Sequence, residues 1–256
     1  MENFNLKPIG FFKTSEKYPQ ELSRQAATAQ ENIGMVELKP LFPLIQGLED
    51  VETCQKIWLI YLFHRNRGWK PKVYPPRGSD KKIGLFATRA PYRPNPIGLS
   101  CVDVLKVEGN KIYVKNHDLL DGSPILDIKP YLAYSDCFQG IEPGWRIDET
   151  TYQIQFSDMA IDKMQFLDKN LRMNIQALLT EQLEAQPFYS KRKRIKALGE
   201  KRYVYAFRTW RFDLEVEDNK IYVQDIYSGY SKQDLLDLKS DPYLDKIIHQ
   251  RFRDLY

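Results

Sequence analysis

Cations interleaved with flat aromatic rings are the first chemistry legible in this chain. Between His64 and Arg93 stand nine Lys or Arg side chains and a single acid, Asp80. Trp69, Tyr74 and Tyr92 alternate there with Arg65, Arg67, Lys70, Arg77 and Arg93. Rings can stack on unstacked nucleobases while ammonium and guanidinium groups neutralise phosphates, so the combination suits looped RNA. A second basic cluster, KRKRIK, runs from Lys191 to Lys196. In a chain whose formal charge is only +4, two such clusters favour a polyanionic partner. No amphipathic apolar face accompanies them, so RNA is preferred over a membrane surface.

The stretch GLFATRAPYRPNPIGLS, Gly84 to Ser100, closes the first cluster. Pro91, Pro94 and Pro96 fix φ and remove donors, which excludes a helix or a central strand between them. They would hold Arg93 and Asn95 in few conformations and so reduce the ordering cost of binding. Taken singly, each residue also has a plain structural reading. Pro94-Asn95-Pro96 could be a rigid turn, and Asp127 and Lys129 the outer face of a strand. His64 after an apolar run could be structural, Leu99 core-facing, and Cys101 a small buried residue. Cys54, Cys101 and Cys137 are scattered and form no CxxC pair, which reads as a reduced, cytoplasmic chain. His64, His117 and His249 give no metal spacing, so no metal is expected.

These residues need elements to position them. A chain of 256 residues that is 43% hydrophobic and 28% charged can build a packed core. No apolar run reaches the roughly 18–20 residues of a membrane span, and the first residues show no secretory pattern. Lys7 to Phe12 reads as a strand, and Lys56 to Phe63 as one buried on both faces. Leu99 to Val107 and Lys111 to Val114 flank Gly109-Asn110, a two-residue hairpin turn. Ile125 to Ala133 resumes strand character. Few helices interrupt this series, which predicts a closed or sandwiched β architecture to about residue 150. Ser157 can cap a single helix carrying Met164, Leu167, Leu171, Ile175, Leu178 and Leu183. Arg202 to Phe207, Thr209 to Val216 and Lys220 to Ile226 follow as a small antiparallel sheet. The fold expected is mainly β, with a barrel over 1–152 and a smaller α+β domain over 153–256. LKVEGNKIYV (Leu105 to Val114) is echoed in LEVEDNKIYV (Leu214 to Val223), and the likeness is taken as coincidence between two good hairpin sequences.

FATRAPYRPNPIGLS and DGSPILDIKPY, supported by SRQ at Ser23 to Gln25 and FHRN at Phe63 to Asn66, resemble the tRNA-methyltransferase O family, also called TsaA-like proteins. The resemblance covers roughly residues 5 to 140. It implies a single-sheet β-barrel that forms a homodimer. It also implies methylation of N6 of threonylcarbamoyladenosine beside the tRNA anticodon, with S-adenosylmethionine as methyl donor. The donor contacts it carries over fall on Ser23, Arg24, Gln25, His64, Arg65, Arg89, Leu99, Leu119, Leu120, Asp121, Gly122, Ser123 and Pro124. The family's first triplet usually begins with proline, where this chain has Ser23. Many bacterial relatives carry DPRPAY where this chain has EAQPFY, Glu184 to Tyr189, keeping only the proline and the tyrosine.

The residue chemistry agrees with such a donor. No GxGxxG lies between a strand and a helix, so loops rather than a Rossmann cradle must hold it. Arg24 and Arg89 can bond a carboxylate, Asp118 or Asp121 can accept from a ribose hydroxyl or an ammonium, and Gly122 allows close backbone approach. The general base is open among Asp118, Asp121, Tyr131, Tyr189 and a water. For the anticodon stem-loop, the expected contacts are Arg67, Lys70, Arg93, Tyr189, Lys191, Arg192, Lys193 and Arg194. The alternatives are a non-enzymatic RNA-binding protein that retains the barrel, and a methyltransferase acting on a small molecule or another RNA.

Overall fold

A computed structural model describes residues 5–22, 26, 32–75, 81–141, 144–145, 151–184, 187–188, 194–237 and 240–256. The chain divides into two compact units, Met1–Ile147 and Asp148–Tyr256.

In the first unit the elements run β1 Gly10–Lys13, β2 Ile33–Leu38, α1 Phe42–Gln46, β3 Lys56–Leu62, β4 Lys72–Val73 and β5 Ile83–Gly84. β6 Ile97–Glu108, β7 Lys111–Lys115, β8 Pro124–Pro130 and α2 Ala133–Asp136 follow. Six of the strands close a barrel in the order β1-β2-β7-β6-β3-β8, with β1 and β8 paired to complete the ring. Its interior is filled by alternate residues, as a period-two strand requires. Phe12, Val36, Leu59, Val102, Ile112, Val114, Leu119 and Ile125 are all fully buried there.

β3 corrects one expectation. Its apolar run is buried on one face only: Ile57, Leu59 and Tyr61 point inward, while Trp58 and Ile60 are half-covered on the outside. A barrel has one dry face per strand, so a continuous apolar run need not mean two. β2 was not foreseen. Its alternation IGMVEL is short and follows a polar stretch, but it supplies the partner that both β1 and β7 need. The basic segment between β3 and β6 is likewise no featureless loop. β4 pairs with β5, and Val73 and Leu85 are buried beneath the pair.

Connectivity decides where chemistry can sit. Because all barrel neighbours are antiparallel, the ends of β1, β3 and β7 and the starts of β2, β6 and β8 share one rim. Three connections meet there: 14–32, 63–96 and 116–123. The opposite rim carries the β6–β7 turn and the chain that leaves β8.

The second unit contains β9 Gln153–Phe156, α3 Asp158–Leu171, α4 Ile175–Leu183, β10 Ile195–Ala197, β11 Arg202–Phe207, β12 Trp210–Glu217, β13 Lys220–Ser228, α5 Lys232–Leu236 and α6 Lys246–Leu255. The sheet order is β10-β11-β12-β13-β9, and β9 runs parallel to β13, so the sheet is mixed rather than antiparallel throughout. Ser157 caps α3, accepting from Ala160 N at 3.0 Å. The single helix expected after it is two. Arg172 turns left-handed at φ 55°, and Asn174 caps a new start through Ala177 N at 2.9 Å. Met164, Leu167, Leu179 and Leu183 pack on Phe207, Trp210, Phe212 and Leu214, as the helical spacing implied. Among the described residues, no helix is long and apolar enough to cross a membrane, and no group of three His, Cys, Asp or Glu side chains could hold a metal ion.

Candidate active site

The rim collects most of the residues singled out in the sequence. His64 lies two residues beyond the end of β3, and Asp121-Gly122-Ser123 leads into β8, whose first residue Pro124 lies opposite Phe11. The turn is tied to β1 by Gly122 N to Phe12 O and Phe12 N to Ser123 O, both 2.8 Å. Gly122 is left-handed at φ 78°, a conformation that glycine adopts at little cost. A Cβ there would come within 4.0 Å of His64 Nε2, so the missing side chain leaves room beside the imidazole. His64 Nδ1 lies 3.5 Å from Ser123 Oγ. Burial, and then the Arg65 guanidinium, hold the His64 pKa below its usual value, against the pull of the Leu62 backbone and Asp121. The ring is therefore predominantly neutral at pH 7. Asp121 Oδ1 accepts from Thr14 N at 3.2 Å, and Asp121 N donates to Glu16 O at 2.9 Å. Arg65 donates to Lys17 O through Nη1. The 14–32, 63–96 and 116–123 connections are thus stitched together around His64.

A second group lies just inside the rim. Ser100, on the inward face of β6, donates its hydroxyl proton to Asp118 Oδ1. Its Oγ is 3.3 Å from the hydroxyl of Tyr61 on β3. Since the one Ser100 proton goes to the carboxylate, Tyr61 is the donor in the second bond. Tyr61 and Ser100 are only 4% and 3% exposed. Burial pushes the Asp118 carboxyl up to about 6, offset in part by hydrogen bonds from Ser100 and the Ala26 backbone and by the charge of Arg89. Burial and the Asp118 charge raise the Tyr61 phenol well above its ordinary range, so it stays protonated. Gly98 permits this arrangement, because a Cβ there would lie 2.4 Å from the Tyr61 ring. The Arg89 side chain itself is exposed to solvent.

Next to Asp118, His117 is fully buried, and burial pulls its pKa down to about 4. Its Nδ1 accepts from Leu119 N at 3.3 Å, leaving Nε2–H to face Thr14 Oγ1 at 3.2 Å and Glu16 Oε2 at 3.7 Å. Asn32 brackets its backbone through bonds of 2.9 and 3.0 Å. This imidazole is a neutral structural tie between β1, β2 and β7.

Other sequence candidates fall elsewhere. Leu99 is 52% exposed on the outer face of β6, opposite Ile60, so the core-facing expectation is corrected. Gly98, Ser100 and Val102 take the inward positions, and strand alternation leaves Leu99 outside. Cys101 shares that outer face, half-covered rather than buried. Leu119 packs its side chain in the barrel core, and Leu120 closes the turn by accepting from Ser123 N at 3.1 Å. Arg67 and Lys70 are exposed, with Lys70 Nζ 4.5 Å from the centre of the Tyr92 ring. Arg93 is committed to its own loop: Nη1 donates to Thr88 O at 2.9 Å, and the guanidinium lies over Phe86. Arg194 is exposed beside β10. Ser23, Arg24, Gln25, Tyr189, Lys191, Arg192 and Lys193 lie outside the described residues.

Sequence reasoning missed Ser100 and Tyr61. Both sit inside apolar strands, where a polar group at an inward parity position was the available signal. What the rim offers is a cation (Arg89), two carboxylates, a neutral imidazole and a glycine-opened gap. This is enough to hold a zwitterionic ligand and to accept a proton.

Comparison with known proteins agrees. The model of the tRNA-methyltransferase O N-terminal domain matches residues 11–137, which span all three rim connections. A protein of Pyrococcus abyssi named "Probable S-adenosyl-L-methionine-binding protein" is 37% identical over 175 residues, 68% of this chain and 91% of its own. The tRNA (adenine(37)-N6)-methyltransferase of Escherichia coli is 33% identical over 143 residues, and the match covers 53% of this chain and 61% of that enzyme. The crystal structure of TrmO from Pseudomonas aeruginosa superposes with a TM-score of 0.61 at 27% identity, covering 89% of this chain and all of that one. With its barrel, its rim and these relatives, the chain belongs to the tRNA-methyltransferase O family.

Proposed function

We propose that this chain transfers a methyl group from S-adenosylmethionine to N6 of threonylcarbamoyladenosine at position 37, beside the tRNA anticodon. The enzyme class and donor follow from the family and from relatives that are named for adenine-37 methylation and for S-adenosylmethionine binding. The threonylcarbamoyl form of the base is the finer part of the reading. That part rests on the family resemblance, while the methyltransferase reading is supported by the meeting of His64, Arg65, Arg89, Asp118 and Asp121–Pro124 at one rim, within the stretch that matches the family.

When bound, S-adenosylmethionine supplies an electrophilic methyl group on a sulfonium. Arg89 and Arg65 are the cations that would take its carboxylate, and Asp121 would accept from its ammonium or ribose hydroxyls. The Gly122 backbone, opened toward His64, is where a flat ring or ribose can approach without meeting a Cβ. Ser23, Arg24, Gln25, Leu99, Leu119 and Leu120 complete the donor contacts that the family resemblance implies. The chain's contribution to rate is then mainly alignment of two bound reactants, worth up to about 7–11 kcal/mol in ideal cases.

For the RNA, Trp69 and Phe86 offer exposed ring faces, 54% and 77% open. Arg67 and Lys70 lie on the same connection, and Arg194 with Lys191–Lys193 would hold phosphates from the second unit. A homodimer is part of the same reading, supported by the exposed apolar side chains of Leu99, Tyr134, Phe138 and Ile141 on the barrel unit.

The test is incubation with methyl-labelled donor and tRNA that carries or lacks the threonylcarbamoyl group. Label is expected only in the modified tRNA. Label in the unmodified tRNA alone would redirect the substrate, and label in neither would leave an RNA-binding barrel without chemistry.

A further inference from the structure

We propose that the Asp118 carboxylate accepts the proton that N6 loses on methylation, and that Ser100 and Tyr61 are positioning residues that hold it for that task. The inference rests on the function proposed above and selects one group among the several carboxylates and phenols of the chain.

A proton acceptor is needed because the attacking nitrogen is a poor nucleophile. Its lone pair is shared with the purine and the carbamoyl group. In the balanced step, the N–C bond forms as the C–S bond breaks, the sulfur keeps that bond's electron pair, and the N6 proton moves to a carboxylate oxygen. No oxidant or further reactant is required. Asp118 lies just inside the rim, where it accepts from Ser100 and the Ala26 backbone and feels the charge of Arg89, largely but not fully buried. A carboxylate with a pKa near 6 is ionised at neutral pH yet more basic than a solvated one, the compromise that general bases use.

The supporting bonds have a direction. Tyr61 keeps its proton and gives it to Ser100 Oγ, and Ser100 gives its own to Asp118 Oδ1. A chain polarised in this sense favours the ionised carboxylate, ready to accept. Burial of both donors prevents water from replacing them, and Gly98 fixes the phenol by lying under its ring.

The rivals are differently placed. Asp121 Oδ1 accepts from the Thr14 backbone N–H in a turn, whereas Asp118 is backed by the buried hydroxyls of Ser100 and Tyr61. Tyr131 follows β8, and its backbone N donates to Lys56 O, at the opposite rim. Its phenol pKa is raised by burial and by Cys137, so it is protonated at neutral pH. Tyr189 lies outside the described residues. His64 is the serious competitor, because its ring is neutral and lies beside the space that Gly122 leaves open.

The experiment compares wild type with Asp118→Asn, Ser100→Ala, Tyr61→Phe and His64→Gln. Single-turnover methyl transfer is followed from pH 5 to 9, and calorimetry gives the affinities for S-adenosylmethionine and for tRNA. Asp118→Asn should lower the single-turnover rate by about 10²–10⁴-fold while leaving both affinities within about twofold. It should also abolish the fall in rate on the acid side. Ser100→Ala removes a bond that favours the carboxylate, so its acid limb should move to higher pH, and Tyr61→Phe should move it the same way by less. A loss of donor affinity in Asp118→Asn that matches the loss of rate would make Asp118 a donor-binding group and overturn the proposal. So would an acid limb that survives Asp118→Asn and disappears in His64→Gln. Wild-type protein that labels no tRNA would overturn the proposed function itself, and the assignment of a base with it.

Discussion

Two stretches of this chain, Leu105–Val114 and Leu214–Val223, differ at only two of ten positions yet solve different structural problems. Both are hairpins, and their first three pairs correspond: Glu108 with Lys111, Val107 with Ile112, Lys106 with Tyr113; and Glu217 with Lys220, Val216 with Ile221, Glu215 with Tyr222. They part at the fourth. In the barrel, Leu105 is skipped, and Val104 pairs with Val114. In the open sheet, Leu214 pairs with Val223, and Gln224 on the other strand is skipped instead. The same leucine is therefore 44% exposed in one unit and 1% exposed in the other. Local pattern makes the hairpin, and tertiary context decides which strand takes the bulge.

Inward parity matters for the site. On β6 the inward residues are Gly98, Ser100, Val102 and Val104 before the bulge, and Val107 after it. That parity aims Ser100 at Asp118. Deleting Leu105 would only erase the bulge, since Val104, Lys106 and Val107 then alternate regularly; deleting Cys101, between inward Ser100 and Val102, is expected to have the largest effect. Either Ser100 and Gly98 then turn outward, or Val102 and Val104 do, exposing side chains worth roughly 1.5–3 kcal/mol each. The barrel unit should lose several kcal/mol of stability and its affinity for S-adenosylmethionine, read by thermal unfolding and calorimetry. A Cys101 deletion that left both intact would show that strand parity does not set the inward face.

Point substitutions sharpen the same contrast. Leu214→Ala should cost about 2–5 kcal/mol, because it opens a cavity beneath the helices of the second unit. Leu105→Ala should stay within about 0.5 kcal/mol, the usual range for an exposed position. Denaturant titration of the two variants decides it, and equal losses would refute the difference in burial.

This pair also shows how far the sequence carried. Alternation and Gly109-Asn110 were enough to read the β6–β7 hairpin, and the apolar triplets after Arg202 were enough to read three strands of the second sheet. The bulges were not legible, because identical residues accept either placement. Neither was the inward parity of Ser100 and Tyr61, which depends on barrel closure. β2 escaped notice because its six residues gain stability only from partners far away in sequence. The candidate site fared better in its turns than in its strands. Gly122, Ser123 and His64 are constrained locally by glycine and by strand ends, whereas Leu99 and Asp118 take their roles from packing.

Beyond the shared decapeptide the two strands diverge in chemistry as well. Where the sheet continues with Ile226, fully buried, the barrel chain places His117, equally buried, and then Asp118. Protonation makes these neighbours oppose each other. His117 titrates near 4 in the fold against an ordinary 6.5, so the unfolded chain takes up its proton first as pH falls through that window. Up to about 3 kcal/mol of stability is lost on the way down. Asp118 titrates near 6 against an ordinary 3.8, so here the folded chain takes the proton first, and acidification restores up to about 3 kcal/mol. The wild-type barrel should therefore change little in stability between pH 6 and 4 on account of this pair. Asp118→Asn should be more stable than wild type above pH 6 and should lose that advantage steadily toward pH 4. A parallel pH dependence of Tm in the two proteins would show that Asp118 is not a strained acid, and would weaken its case as the base.

The smallest expected effect lies at the turns, one of the two places where the sequences differ. Gly109 and Asp218 both adopt a left-handed backbone, at φ 59° and 50°. For glycine this conformation is free of Cβ conflict, whereas an L-residue in it pays roughly 1–2 kcal/mol, less for Asp, which tolerates it better than most. Asp218→Gly should therefore stabilise the second unit by about 0.5–1 kcal/mol, after allowance for the greater freedom glycine gives the unfolded chain. Gly109→Ala should destabilise the barrel by a similar amount. Nothing lies within 4 Å of a Cβ built at Gly109, so the backbone conformation alone is responsible. Tm shifts of opposite sign in the two variants would confirm that the turns are equivalent and that the hairpins diverge only from the fourth pair onward. Shifts of the same sign would place the divergence at the turn itself.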